Sequence, residues 1–312
     1  MAFREPVISI HGNRTELNRS AHELRRFRPD VIVDAIAFTA SHGETSAAAA
    51  RDLGARLVVL SSGDVYRAND IVFRRVEGSL EPTPLTEGSP LRDRMYPYKG
   101  MSLPRAYDFD WDEYDKVLVE RATIGVPGLR ATALRLPMLY GPGDCTGLKR
   151  RFLAFVKRMD DGRPAILLDA RTAQWCAPWG CTLDVADAVR LVVEHDDAGR
   201  VYNVAEPGRM TMADWVHAWA SIVGWKGDVV IRDEACPPPS FPRALNLEQH
   251  LDMDSSRIRR ELGYRERLSR REALTTTIAW DREHPTELKA EEFDYEAEDR
   301  LLKRKRDRRT DP

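Results

Sequence analysis

The chain has no apolar run approaching the roughly 20 residues that span a bilayer, and its opening MAFREPVISI lacks the long apolar stretch of a secretory leader. Both absences lead to the expectation of a cytoplasmic protein with no membrane partner. It has little cysteine. Cys145, Cys176, Cys181 and Cys236 show neither CxxC spacing nor the density of a disulfide scaffold, so free thiols are expected. It also lacks an excess of either charge: 48 Lys and Arg stand against 50 Asp and Glu, a formal net charge of -2. No basic field gathers phosphates along a duplex, which argues against a nucleic-acid partner. None of the seven histidines lies near a second one or in a ligand spacing, so no metal is expected. There is no GxSxG elbow, which counts against a convergent hydrolase.

At 312 residues, 42% hydrophobic and 31% charged, the chain is long enough for one large domain or two small ones with a real core. Its first half alternates short apolar runs with helix-like stretches, the pattern of strand-helix-strand units in a parallel sheet. Val7 to Ile10 reads as a strand, and after His11-Gly12-Asn13 the spacing of Leu17, Ala21 and Leu24 gives a helix face that ends before Pro29. Val31 to Phe38 is the next strand. Ser41 and Glu44 read as a capping box for an alanine-rich helix that stops at Gly54, and Leu57 to Ser61 is a third strand. Glu77 to Gly100, rich in proline, glycine and charge, reads as a long surface excursion. Asp110 to Ala122 then reads as a helix and Ala131 to Leu139 as a buried strand. Later come a helix beyond Lys149, an apolar segment at Ala165 to Leu168, a helix from Asp184 to Glu194 and a strand at Val201 to Val204. The tail from Glu291 is highly charged and is expected to be a solvated, fraying helix.

Two strands end in chemistry. Leu57 to Leu60 runs into Ser61-Ser62-Gly63-Asp64-Val65-Tyr66, and Leu134-Arg135-Leu136-Pro137-Met138-Leu139-Tyr140 empties into Gly141-Pro142-Gly143-Asp144. Open α/β sheets bind ligands at such carboxyl ends. The bland alternative is that the two serines only satisfy backbone groups of the turn. The tryptophans Trp175, Trp179, Trp215, Trp219 and Trp225 suit core packing better than ligand stacking.

The ordered series SSGDVY, LRLPMLYGPGD, DVADAV, VYNV and DSSRIRRELGY, spread from about Val7 to Trp280, resembles the extended short-chain dehydrogenases, the NAD-dependent epimerase/dehydratase family. The resemblance implies a doubly wound, Rossmann-like parallel sheet, incomplete at its N-terminus, over 1–145, and a mainly substrate-binding domain over 146–288 with a returning strand near 201–204. Residues 289–312 form the charged tail. It implies an epimerase, dehydratase or reductase acting with NAD or NADP on a nucleotide sugar or a related carbonyl or hydroxyl compound. A homo-oligomer is open. Ser62 matches the serine that bonds the reacting oxygen, Asp64 falls where some dehydratases keep an acid, and Lys116 matches the lysine that meets the nicotinamide ribose and lowers a tyrosine pKa. Cofactor contacts are expected at Gly12, Asn13, Arg14, Ala35, Phe38, Ser61, Lys116, Pro137 and Tyr140.

The chain departs from this pattern twice. The tyrosine should precede the lysine by four residues, but Asp112 stands there, and none of the eight lysines has a tyrosine at that spacing. A carboxylate of ordinary pKa is a poor base for an alcohol proton. Tyr107 or Tyr66 is the expected substitute, and Tyr114, two residues from Lys116, is expected on the far side of a helix. The second departure is the missing strand, glycine-rich turn and helix of a dinucleotide site. Val7 to Arg14 resembles the family's third strand and adenine-contacting turn, so a strand-helix-strand unit is expected to be missing and dinucleotide affinity to be poor. The alternative is a non-catalytic member of the fold that binds a nucleotide or a partner. The motif order predicts that Ser62 and Lys116 approach one another, with Asp64 and Tyr140 at the rim of the same cleft.

Overall fold

A computed structural model describes residues 7–14, 21–101, 109–143, 150, 152–195, 199–233, 236, 244–285 and 293–307. In chain order the elements are α1 (Ala21–Phe27), β1 (Val31–Asp34), α2 (Ala40–Leu53), β2 (Arg56–Ser62), α3 (Arg67–Val72), α4 (Lys116–Thr123), β3 (Ala131–Leu136), β4 (Met138–Tyr140), α5 (Leu153–Asp160) and β5 (Ala165–Asp169). They continue with α6 (Ala170–Gln174), β6 (Trp179–Cys181), α7 (Thr182–Glu194), β7 (Val201–Asn203), α8 (Met212–Val223), β8 (Asp228–Arg232), α9 (Ser256–Leu262), α10 (Arg270–Glu283) and α11 (Tyr295–Asp307).

Strand β2 shows why the main sheet is covered on both faces. Its side chains alternate. Leu57 and Val59 pack with Ala50 of α2 and Val119 of α4, whereas Val58 packs on the opposite face with Val185, Ala188 and Val192 of α7 and Ile258 and Leu262 of α9. Each such burial is worth roughly 1.5–3 kcal/mol. The sheet is parallel throughout, in the order β1-β2-β3-β7, with Ser62 level with Leu136. This is the expected Rossmann-like α/β fold with helices on both faces. Two further parallel pairs, β4 with β6 and β5 with β8, lie beyond it. No described helix is long and apolar enough to cross a membrane.

Several boundaries differ from the sequence reading. Val7 to Ile10 forms no strand, and Val7, Ile8 and Ile10 are exposed. Strand β1 stops at Asp34, because that carboxylate accepts the Ile36 N–H and turns the chain. The cap of α2 is Thr39, whose hydroxyl accepts the His42 N–H at 3.2 Å, so Ser41 lies inside the helix; Gly54 ends it as expected, at a φ of 66°. The stretch from Asp110 breaks in two. Asp110 caps a single 3-10 turn, Trp111–Glu113, and Asp115 caps α4 by accepting from Val117 and Leu118, so Lys116 is the first residue of its helix. Pro137 divides the long strand, and β4 turns away to pair with β6. Gly141 follows at a φ of 145°, where an added Cβ would lie 2.1 Å from the Thr182 hydroxyl.

The charged tail is the largest difference. Helix α11 is docked rather than free: Glu298 pairs with fully buried Arg158 at 2.7 Å, and the same guanidinium lies over the Phe293 and Tyr295 rings. Removing one partner of a buried pair strands the other charge. Glu298→Ala should therefore cost about 3 kcal/mol in urea unfolding; a loss under about 1 kcal/mol, typical of surface pairs, would contradict the docking.

Candidate functional site

Lys116 enters the site from the first position of α4 and is only 4% exposed. Its ammonium donates to the carbonyls of Ala37 at 2.7 Å and Leu60 at 2.8 Å, and sits 4.6 Å from the Phe38 ring centroid. It thus spans the chain leaving β1 and the carboxyl end of β2. Burial disfavours its charged form and lowers its pKa to about 8, against the opposing pull of Asp64 and Asp34.

Two residues past Leu60, the Ser62 hydroxyl accepts the Asp64 N–H at 3.2 Å and keeps its own proton to give elsewhere. The next residue must be small, since a Cβ on Gly63 would lie 2.8 Å from the Met253 sulfur. Asp64 then presents its carboxylate to two phenols. Oδ2 accepts from Tyr114 at 2.8 Å and from Tyr98 at 3.2 Å, whereas Oδ1 is buried with no partner among the described residues. Arg92 fixes the turn from beneath: Nε donates to the Asp64 carbonyl at 2.7 Å and Nη2 to Asp115 at 3.1 Å, with both side chains fully buried. One arginine from the long excursion therefore ties the Asp64 turn to the cap of the Lys116 helix. Phe38, Phe109 and Trp111 pack around Tyr114, and Tyr98 meets Tyr114 edge to face at 5.0 Å.

Burial pushes Tyr98 and Tyr114 far above the usual phenol pKa, and the Asp64 charge adds to it. Both are neutral hydrogen-bond donors, not phenolates.

The sequence-predicted residues divide into groups. Ser62 and Asp64 stand at and just past the end of β2, and Lys116 reaches the Leu60 carbonyl of that strand within the field of Asp64. Tyr107 falls outside the described residues. Tyr66 is unavailable as a substitute base: its hydroxyl donates to Asn203 at 2.6 Å and accepts from Arg135 at 3.1 Å. Asp112 sits on the 3-10 turn and accepts the Gly100 N–H at 2.7 Å, so it shares no helix face with Lys116. Tyr114 was expected to face away, an inference that assumed a helix; it lies in extended backbone before α4, and this brings its hydroxyl to Asp64. Among the expected cofactor contacts, Gly12 and Asn13 lie in exposed coil, Arg14 pairs with Asp34 at 2.7 Å, and Ala35 is exposed. Phe38 covers Lys116, Ser61 donates to Glu120 at 2.5 Å, and buried Pro137 follows Leu136. Tyr140 faces other partners: its ring packs on Phe152 and Trp215 and its hydroxyl donates to Glu206.

Glu206 leads to a cavity of about 430 Å³ lined by Trp179, Trp215, Arg209, Arg259, Arg270, Asp252 and, against Gly63, Met253. Two carboxylates already engage two of its guanidiniums, Glu266 with Arg259 and Glu206 with Arg270. Sequence reasoning missed Arg92, Tyr98 and Tyr114. The signal for Tyr114 was the pair of cap aspartates, Asp110 and Asp115, which forbid one continuous helix through it. No group of His, Cys, Asp and Glu that could hold a metal occurs among the described residues.

Residues 114–205 match the profile described as the NAD dependent epimerase/dehydratase family, which bears out the resemblance over that stretch. No curated protein matches the chain in sequence. The fold is similar to dTDP-glucose 4,6-dehydratase from Streptomyces venezuelae solved with NAD (24% identity, 88% of this chain and 79% of that one, TM-score 0.60). It is also similar to RMD from Pseudomonas aeruginosa complexed with NADPH (16%, 89% and 90%, TM-score 0.63) and to UDP-glucose 4-epimerase from Thermotoga maritima with UDP-glucose (15%, 87% and 83%, TM-score 0.59).

The phenols carry a pH dependence whose sign is fixed. A tyrosine whose folded pKa is raised contributes stability below the ordinary value near pH 10, and that contribution is lost as pH rises further. Unfolding free energy should fall above pH 10 less steeply in the double variant Tyr98→Phe, Tyr114→Phe than in the wild type. Parallel alkaline limbs would mean that these hydroxyls are not buried on Asp64.

Proposed function

We propose that this chain acts on a nucleoside-diphosphate sugar, or a related hydroxyl or carbonyl compound, as an epimerase, dehydratase or reductase of the epimerase/dehydratase type. The observation that supports the reading is the placement of Ser62, Asp64, the two phenols and Lys116 about the carboxyl end of β2, beside Met253 and a cavity with guanidiniums and indoles. Indoles suit a base or sugar face, and guanidiniums suit phosphate oxygens. Solved relatives carrying UDP-glucose and NAD support the class of ligand.

NAD or NADP is the cofactor that the resemblance implies, and when bound it would exchange a hydride with the substrate. The described residues fit only its nicotinamide end, at Lys116 and Phe38. Strand β1 is the edge of the described sheet and Arg14 is paired with Asp34, so the described residues form no cradle for the adenosine half.

The chain's own groups have definite roles. Ser62 gives its hydroxyl proton to a substrate oxygen. Asp64 Oδ1 receives a substrate hydroxyl, while Tyr98 and Tyr114 hold Oδ2 and orient the carboxylate. Lys116 supplies positive charge beside the site at neutral pH, as follows from a pKa near 8.

A second reading, a nucleotide-binding member without turnover, is favoured by the absence, among the described residues, of a tyrosine paired with Lys116. A panel of UDP- and dTDP-sugars with NADH or NADPH separates the two readings. Catalysis should be slow and should fall about 10²-fold in Asp64→Asn. Ligand binding with no turnover would select the second reading, and rates indifferent to Asp64→Asn would remove it from the mechanism. Titration of NADH alone should give weak binding that does not saturate in the micromolar range; tight binding would contradict the missing cradle.

A further inference from the structure

The cavity wall is made partly of two loops that hydrogen-bond to each other. Leu85 N–H donates to the Asp252 carbonyl at 2.7 Å, and Asp254 N–H returns to the Leu85 carbonyl at 2.8 Å. Pro84, Asp252 and Asp254 all line the cavity. One carboxamide ties both loops of this double wall to the sheet at once. Asn203, fully buried at the end of β7, donates through Nδ2 to Leu85 at 3.0 Å and to Asp254 at 3.1 Å, and its backbone N–H donates to Glu87 at 2.9 Å.

A carboxamide can flip, exchanging donor for acceptor. Here Tyr66 prevents it, because its hydroxyl donates to Oδ1 and so leaves only Nδ2 for the two loop carbonyls. Tyr66 is held in turn by Arg135, which also donates to the Glu87 carbonyl and grips Glu120 through two nitrogens. The series ends at Ser61, whose hydroxyl donates to Glu120 one residue before Ser62.

We propose that Asn203 is a positioning residue for ligand binding: oriented by Tyr66, it sets where the Leu85 and Asp254 loops stand and hence the affinity of the cavity they wall. The choice of UDP as the probe rests on the nucleotide reading above; the anchoring of the loops does not.

The test combines amide hydrogen exchange with UDP titration followed by tryptophan fluorescence, since Trp179 and Trp215 line the cavity. In Tyr66→Phe the Leu85 and Asp254 amides should exchange about tenfold faster while the Ala133 amide of β3 does not change, and the Kd for UDP should rise about tenfold. Asn203→Asp, which turns a donor toward both loop carbonyls into an acceptor, should do the same more strongly; if it fails to fold, Tyr66→Phe decides. Unchanged exchange at both loop amides would overturn the proposal, and so would faster exchange with unchanged UDP affinity, which would make the contact merely structural. A wild-type chain that ignores UDP would count against the nucleotide reading, and the exchange result alone would then decide for or against Asn203.

Discussion

A single buried ammonium organises the strand ends. Among the described residues Lys116 has no carboxylate partner in contact; it is held by two backbone carbonyls, one from the chain after β1 and one from β2, and by the face of Phe38. A charge so placed is costly to bury, and that cost appears as a lowered pKa. The arrangement persists because other groups fix the lysine from behind. Asp115 caps its helix, Arg92 neutralises Asp115, and the same Arg92 grips the turn that carries Asp64. The excursion from residue 77 to 100, which looks like a surface loop in sequence, therefore supplies both the arginine under the site and one of the phenols above it.

The two phenols give Asp64 an asymmetry that matters chemically. One oxygen is satisfied by neutral donors and the other is buried with no partner among the described residues. Two donors on one oxygen fix the orientation of the carboxylate, which is the property expected of a preorganised acceptor. The cavity beyond Met253 has the complementary character, with guanidiniums already partly neutralised by Glu206 and Glu266, so phosphate oxygens would compete with existing ion pairs rather than meet free charge.

Much of the sheet was legible because buried parallel strands leave apolar runs and Gly54 leaves a stop signal, and Ser62, Asp64 and Lys116 were legible because their motifs are local. The rest depended on competition between neighbours. Asp34 cuts β1 short by taking a backbone N–H, Asp110 and Asp115 break one apparent helix into a turn and a helix, and Pro137 sends β4 to another sheet. Each is a side chain or ring overriding a periodic pattern. Tyr98 and Arg92 left no periodic signal at all, since long-range contacts of an irregular loop are not encoded at any fixed spacing. Composition marks helix α11 as solvated, whereas specific pairs, Glu298 with Arg158 and Asp299 with Arg163, dock it.

The state of Lys116 is the point on which the site's electrostatics turn, and it is directly observable. A ¹⁵N and ¹³C NMR titration of the lysine side chains, with Lys116 assigned by comparison with Lys116→Met, should find one amine that titrates near pH 8, well below the ordinary 10.5. A Lys116 that titrates with the surface lysines near 10.5 would mean that its ammonium is solvated, and the buried junction of β1, β2 and α4 described here would be wrong.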